Sequence, residues 1–233
     1  GVYHEVITLN EFLGSAKRPI VFTAYKNEKV VLDGSELIDV KWTKHDGNIF
    51  KAKLKEDIWQ LFVNNKSMTS ARWPNGNWYN GSVWDKTKSM AWPEKGKGSY
   101  GHHFNKELAS IPENLTGAII MVNSGSFKTF ATNITKHEKG ADNFKYDTNR
   151  EKIKVHFSYQ GKIYKHGYFL EGKLGLLDEE NEWFYDKKSK ELYLWTPEGR
   201  HPSEFEIKGK TQSYALTLIS SSYIKVQGLD FFG

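Results

Sequence analysis

Residues 72–104 read RWPNGNWYNGSVWDKTKSMAWPEKGKGSYGHHF, a stretch with four Trp, two Tyr and two Pro and no apolar periodicity. A run this long without helical or strand pattern is either functional or disordered, and its aromatic content argues for order. Trp73, Trp78, Tyr79, Trp84 and Trp92 can act as flat platforms for the C–H faces of sugar rings. Arg72, at the head of the stretch, can grip a carboxylate or sulfate with its guanidinium fork. The same residues admit a structural role, in which the aromatics pin the loop to the body and Arg72 closes a salt bridge.

His102 and His103 close the stretch and could supply an acid/base pair or a metal ligand. Neighbours on a strand point to opposite faces, so the pair cannot hold one ion together, and a structural role is the better expectation. His137, His156 and His166 lack metal-ligand spacing, and Asp85 and Asp178 belong to no calcium-loop pattern. Gly96-Lys97-Gly98-Ser99 lacks the spacing of a phosphate loop. No metal or cofactor is expected, and no catalytic residue can be assigned from sequence.

Composition narrows the partner. The 233 residues contain no Cys, which removes disulfides, thiolate metal sites and a Cys nucleophile. A net charge of +5 with well-mixed signs permits an acidic glycan, whereas no Lys/Arg block points to nucleic acid. No apolar run has membrane length, so no membrane partner is expected. Aromatics are 15% of the chain, which suits both strands and sugar binding.

The elements that must carry this loop are strands. PIVFTAYKNEKVVLDG at residues 19–34 reads as two short apolar strands, 20–25 and 29–32, closed by Asp33-Gly34. YALTLISSSYIKVQGLDFFG at residues 214–233 repeats the plan, with strands at 215–220 and 223–226 and Gly228 in the place of Gly34. Such a unit met twice predicts coils of a parallel β-solenoid, with Asp33 and Asp230 bonding backbone at the corners. The implied map is solenoid at 1–38, an inserted β-rich module of antiparallel sandwich or barrel type at 39–208, and solenoid again at 209–233. Within the insertion, WFYDKKSKELYLW predicts a hairpin, Asn105 caps one short helix over 105–111, and 152–157 alternates as a strand.

Four segments together resemble a known family. PIVFTAY…KVVLDGS, LFVNNKSMTSARWPN, EWFYDKKSKELYLWTPEG and YIKVQGLDFFG are similar to the N-terminal part of right-handed parallel β-helix, pectin-lyase-like, carbohydrate-active enzymes. The second and third of these segments resemble ones that recur in bacterial β-helix glycoside hydrolases, where a small β-module interrupts the first coils. The resemblance implies an exported protein (secreted, periplasmic or on the outer cell surface) acting on a polysaccharide or oligosaccharide, with the module flanking the groove. It also implies catalytic groups on later coils, past Gly233, so none is carried onto this chain. The scaffold hosts polysaccharide lyases and non-catalytic binders as well as hydrolases.

Overall fold

A computed structural model of the chain describes residues 1–26, 28–125, 128–148 and 166–233. The chain is all-β and divides into two compact units: Gly1–Lys41 with Leu54–Asn65 and Phe205–Gly233, and Trp42–Lys53 with Lys66–Glu204.

In the first unit three N-terminal strands meet three C-terminal ones in the same order, all in parallel. Ile7–Asn10 pairs with Leu216–Ile219, Ile20–Thr23 with Ile224–Gln227, and Val30–Asp33 with Leu229–Phe232. Val2–Tyr3 lies on the other edge of Val30–Asp33. These strands are short and rich in β-branched and aromatic residues, as parallel ladders require. At the corner after Val30–Asp33 the Asp33 carboxylate is buried and accepts from the Ser35 amide at 2.8 Å and the Ser35 hydroxyl at 2.6 Å. Lys208 Nζ lies 3.7 Å from its second oxygen.

The pairing is displaced by one strand from that implied by the sequence repeat. Residues 216–219 stand on Ile7–Asn10, not on 20–25, and the repeating element has three strands rather than two. Phe232 falls opposite Asp33, so it is Gly233, and not Gly228, that stands beside Gly34. The cause is loop length. Gly228 alone, at φ +67°, turns the chain between Ile224–Gln227 and Leu229–Phe232, whereas residues 24–29 separate the matching N-terminal strands.

The first unit also holds an antiparallel sheet in which Ile207–Lys210 lies between Ser35–Leu37 and Leu61–Val63. This pairing draws Leu54–Asn65 into the first unit, although the sequence map gives it to the insertion.

Among the described residues the second unit contains two sheets. In one, Arg72–Trp73, Gly167–Glu171, Ile119–Gly125, Lys128–Lys136, Asn143–Tyr146 and His102–Phe104 follow each other, every pair antiparallel. In the other, Glu182–Asp186 and Glu191–Trp195 form the anticipated hairpin, with Trp183 opposite Leu194. Ile49–Lys53 and Thr43–Asp46 extend it on one side, and Thr69–Ser70 joins in parallel on the other. Ile120, Val122, Phe144, Tyr168 and Leu170 of the first sheet share a core with Tyr193 of the second. Asn105 does cap, its side chain accepting from the Glu107 amide at 3.0 Å, but the turn it starts, Lys106–Ser110, is a 3₁₀ helix. The expected strand at 152–157, and with it His156, lies outside the described residues.

Candidate functional site

The 72–104 loop is built from its base upward, and the base is Arg72. Strand Arg72–Trp73 pairs with Gly167–Glu171, setting Arg72 opposite Glu171 and Trp73 opposite Leu170. Arg72 is 6% exposed, and its guanidinium donates from Nη2 to the Ser89 carbonyl at 2.7 Å and from Nε to the Pro74 carbonyl at 3.2 Å. Its plane lies over the Phe169 ring, with Cζ 3.7 Å from the centroid. Burial lowers its pKa, and the charge of Glu171, with that of Glu182 when it is ionised, acts against that fall. Arg72 therefore does not face a ligand. It clamps the two ends of the loop segment 74–89 with one buried cation. Trp73 likewise belongs to the interior, packed against Tyr168 with centroids 6.2 Å apart.

Glu182 completes this base. Its carboxyl is 0% exposed and accepts from the Arg72 amide at 3.3 Å and the Asp178 amide at 3.4 Å. Burial, then the charge of Asp178, pushes its pKa up to about 9, so it is protonated at neutral pH. Full burial keeps that proton away from any ligand in solvent. Glu171 is the better counterion for Arg72: burial raises its pKa and the guanidinium pulls it back.

Above the base the loop is organised by Asn77, which is buried. Its Oδ1 accepts from the Tyr79 amide at 2.8 Å and the Thr69 hydroxyl at 3.2 Å, and its Nδ2 donates to the Glu180 carbonyl at 2.8 Å. Thr69 Oγ1 in turn accepts from the Trp78 amide at 2.7 Å. Gly76 lets the chain pass tightly under this knot, because a Cβ there would stand 2.5 Å from Ser89 Cβ and 2.9 Å from Ser89 Cα. Asp85 then caps the one-turn helix Lys86–Ser89 by accepting from the Thr87 amide at 2.9 Å.

This framework presents two indoles to water. Trp84 is 78% exposed and Trp78 52%, and their rings meet edge to face with centroids 5.5 Å apart. Tyr79 beside them is half-buried, with Lys66 Nζ 4.8 Å from its ring centroid. Two large apolar rings held in solvent by a hydrogen-bonded loop leave flat aromatic faces open, on which a flat, partly apolar molecule can stack.

The remaining candidates separate. Trp92 is half-exposed and held by its neighbour Ala91, which exchanges two backbone hydrogen bonds with Tyr168, 2.7 Å and 2.9 Å. His102 and His103 point to opposite faces of their strand, as adjacent strand residues must. His102 is half-buried, its Nε2 2.8 Å from Asn143 Oδ1 and its ring on Phe104. His103 is fully buried among Phe144, Tyr146 and Tyr168, with Nε2 3.2 Å from the Tyr146 hydroxyl. Burial lowers its pKa to about 3, so it is a neutral core residue. No cluster of three metal-ligating side chains occurs among the described residues. Asn77, Thr69 and Gly76 escaped sequence reasoning. The signal available for Asn77 was the run of short polar residues around Trp78 that favours side-chain-to-backbone turns.

No family model matches the chain, and no curated protein matches it. Its fold does have a counterpart. A solved structure described as a glycoside hydrolase superimposes on 99% of the chain with a TM-score of 0.67 at 15% identity. The chain spans 41% of that protein's length. A second structure, described as the complex of XylC with xylose, aligns over 99% of the chain and 28% of its own length at 15% identity, with a TM-score of only 0.40. At 15% identity the likeness to the first is one of fold.

Proposed function

We propose that this chain is the glycan-recognising part of an exported polysaccharide-degrading protein, a glycoside hydrolase built on a right-handed parallel β-helix. The three parallel strand pairs of the first unit are then the three faces shared by two successive coils, residues 7–33 and 216–232, and the second unit is a module inserted between those coils that shapes the glycan-binding surface. The observation that carries the reading is the exposed Trp78–Trp84 pair on its hydrogen-bonded loop. Support comes from the shared fold with a protein described as a glycoside hydrolase.

Within the chain the assigned role is binding, not bond cleavage. Glycoside hydrolysis needs two carboxyl groups flanking the scissile bond, one of them a proton donor. Among the described residues the carboxyl with the strongly raised pKa, Glu182, is fully buried beneath the loop.

A glycan array followed by calorimetry on the best ligand tests this. Binding to soluble polysaccharide, lost in a Trp78→Ala/Trp84→Ala double variant that stays folded, is the expected result. A reducing-end assay on the same chain is expected to stay at background. The proposal fails if no glycan binds, or if the double variant binds as well as the parent.

A further inference from the structure

A second feature of the loop points to the kind of sugar. Beside Trp92 the surface opens into a cleft of ≈ 610 Å³, inside the range of about 300–1,000 Å³ usual for small-molecule sites. Met90 and Trp92 give it an apolar wall, and Glu94, Asn105, Lys106 and Glu107 give it a polar one.

The wall is preorganised. Gly167 lies directly behind it, where a Cβ would stand 2.6 Å from Met90 Cε and 2.8 Å from Trp92 Cζ3. With the paired backbone bonds between Ala91 and Tyr168, this fixes the indole against the strand while leaving it 44% exposed. The polar side is also held in place. Glu94 accepts from the Lys106 amide at 3.0 Å and pairs with Lys97 at 2.8 Å. Asn105 is buried, and its side chain is fixed by accepting from the Glu107 amide at 3.0 Å.

The lining thus combines an aromatic face, the Glu107 and Glu94 carboxylates, the second of them already paired with Lys97, an amide and the Lys106 ammonium. Carboxylates accept strongly from hydroxyl groups. They repel another carboxylate across a shared cleft, and this repulsion is an element of specificity in its own right. Resting on the binding role proposed above, we propose that this cleft is a subsite for an uncharged, hydroxyl-rich sugar residue and that it excludes uronates.

Calorimetry at low salt with neutral oligosaccharides and with oligouronates tests the assignment. The parent is expected to bind a neutral oligosaccharide at least about 10-fold tighter than any uronate. Trp92→Ala should weaken that binding about 10-fold or more, the scale of an anchoring aromatic. Glu107→Gln keeps the shape of a solvent-exposed side chain and should weaken it about 3- to 10-fold. Glu107→Lys should move the preference toward uronates. Tighter binding of a uronate by the parent would overturn the assignment. So would unchanged neutral-sugar affinity in both Trp92→Ala and Glu107→Gln while Trp84→Ala abolishes binding, and that pattern leaves the proposed function standing. Absence of all binding in the parent would overturn both.

Discussion

Trp78 and Trp84 meet edge to face, ring centroids 5.5 Å apart and planes at 86°, in a loop where both are more than half exposed. Edge-to-face contact is the favoured arrangement of two aromatic quadrupoles. It steadies the two rings while leaving their faces open. Exposed indoles normally fold back onto apolar surface. Here the Asn77–Thr69 knot holds the backbone under Trp78 and prevents that collapse.

Removing either ring should therefore cost binding and not stability. Trp84→Ala removes a side chain that is 78% exposed, so its thermal midpoint should match the parent's within the range of a surface substitution, roughly 0.5 kcal/mol. Glycan affinity should fall by about 10- to 100-fold, as for an aromatic hot spot. Acrylamide quenching offers an independent readout: saturating glycan should shield the exposed indoles in the parent and have little effect in the variant.

Arg72 makes the opposite prediction. Its buried charge holds the Ser89 and Pro74 carbonyls and balances Glu171. Arg72→Met removes the charged donor that holds the Ser89 and Pro74 carbonyls, and leaving a buried polar group unsatisfied costs about 1–3 kcal/mol. Arg72→Lys keeps the charge but loses the fork that spans two carbonyls, and should fall between parent and Met variant. Chemical denaturation would rank the three, and glycan affinity should fall in the same order, because the clamp positions the loop bearing Trp78 and Trp84. Full stability in Arg72→Met would contradict the clamp.

What sequence could show follows from where each partner sits. The 182–195 hairpin was legible because alternation and a polar turn are local, and Asp186 indeed closes that turn by accepting from the Lys188 amide. The opposite facing of His102 and His103 was legible for the same reason. For Arg72 a ligand grip and a structural role both stood open in the sequence, because Glu182, which bonds its amide, is 110 residues away and Glu171 nearly as far. An Arg beside aromatic residues looks like a ligand grip until those acids are placed. The strand repeat was seen but misaligned, since unequal loops shift a two-strand motif along a three-strand one without spoiling its hydrophobic pattern. Nor can spacing alone bring Glu94, Asn105 and Glu107 round one cleft with Trp92.

Two glycines give a further test, because their missing Cβ atoms are spaces already filled. Gly76→Ala drives a methyl group into the Ser89 backbone, which cannot move without loosening the Arg72 clamp. Gly167→Ala meets Met90 Cε and the Trp92 ring, and the ring must swing out. Overpacking of this kind costs about 1–3 kcal/mol. Gly76→Ala should lower both stability and binding at the Trp78–Trp84 surface. Gly167→Ala should change the Trp92 environment, visible as a shift in indole proton resonances, while Trp78 and Trp84 keep theirs. Crystal structures of the two variants with Trp92 and Ser89 unmoved would refute the close-packing account.

Stability should depend on pH in a way that two buried groups set. His103 is neutral in the fold, its pKa lowered to about 3 by burial and by the neighbouring His166 and His102. The unfolded chain binds this proton near pH 6.5, so its stabilising effect is complete above that pH and drains away as pH falls toward 3. Glu182 is protonated in the fold, its pKa raised to about 9 by burial and by Asp178. Its contribution is complete below the unfolded value, about 4.3, and is lost as pH rises toward 9. Between about pH 4.5 and 6.5 the two slopes oppose each other, one proton against one. The stability curve should therefore be nearly flat there, with an acid limb from His103 and an alkaline limb from Glu182. Urea denaturation across pH 3–9 checks this. Glu182→Gln, which keeps the shape of the side chain, should flatten the alkaline limb and extend the acid one up to about pH 6.5. His103→Phe should flatten the acid limb and extend the alkaline one down to about pH 4.5. If each substitution flattened both limbs equally, or neither, these would not be the titrating groups.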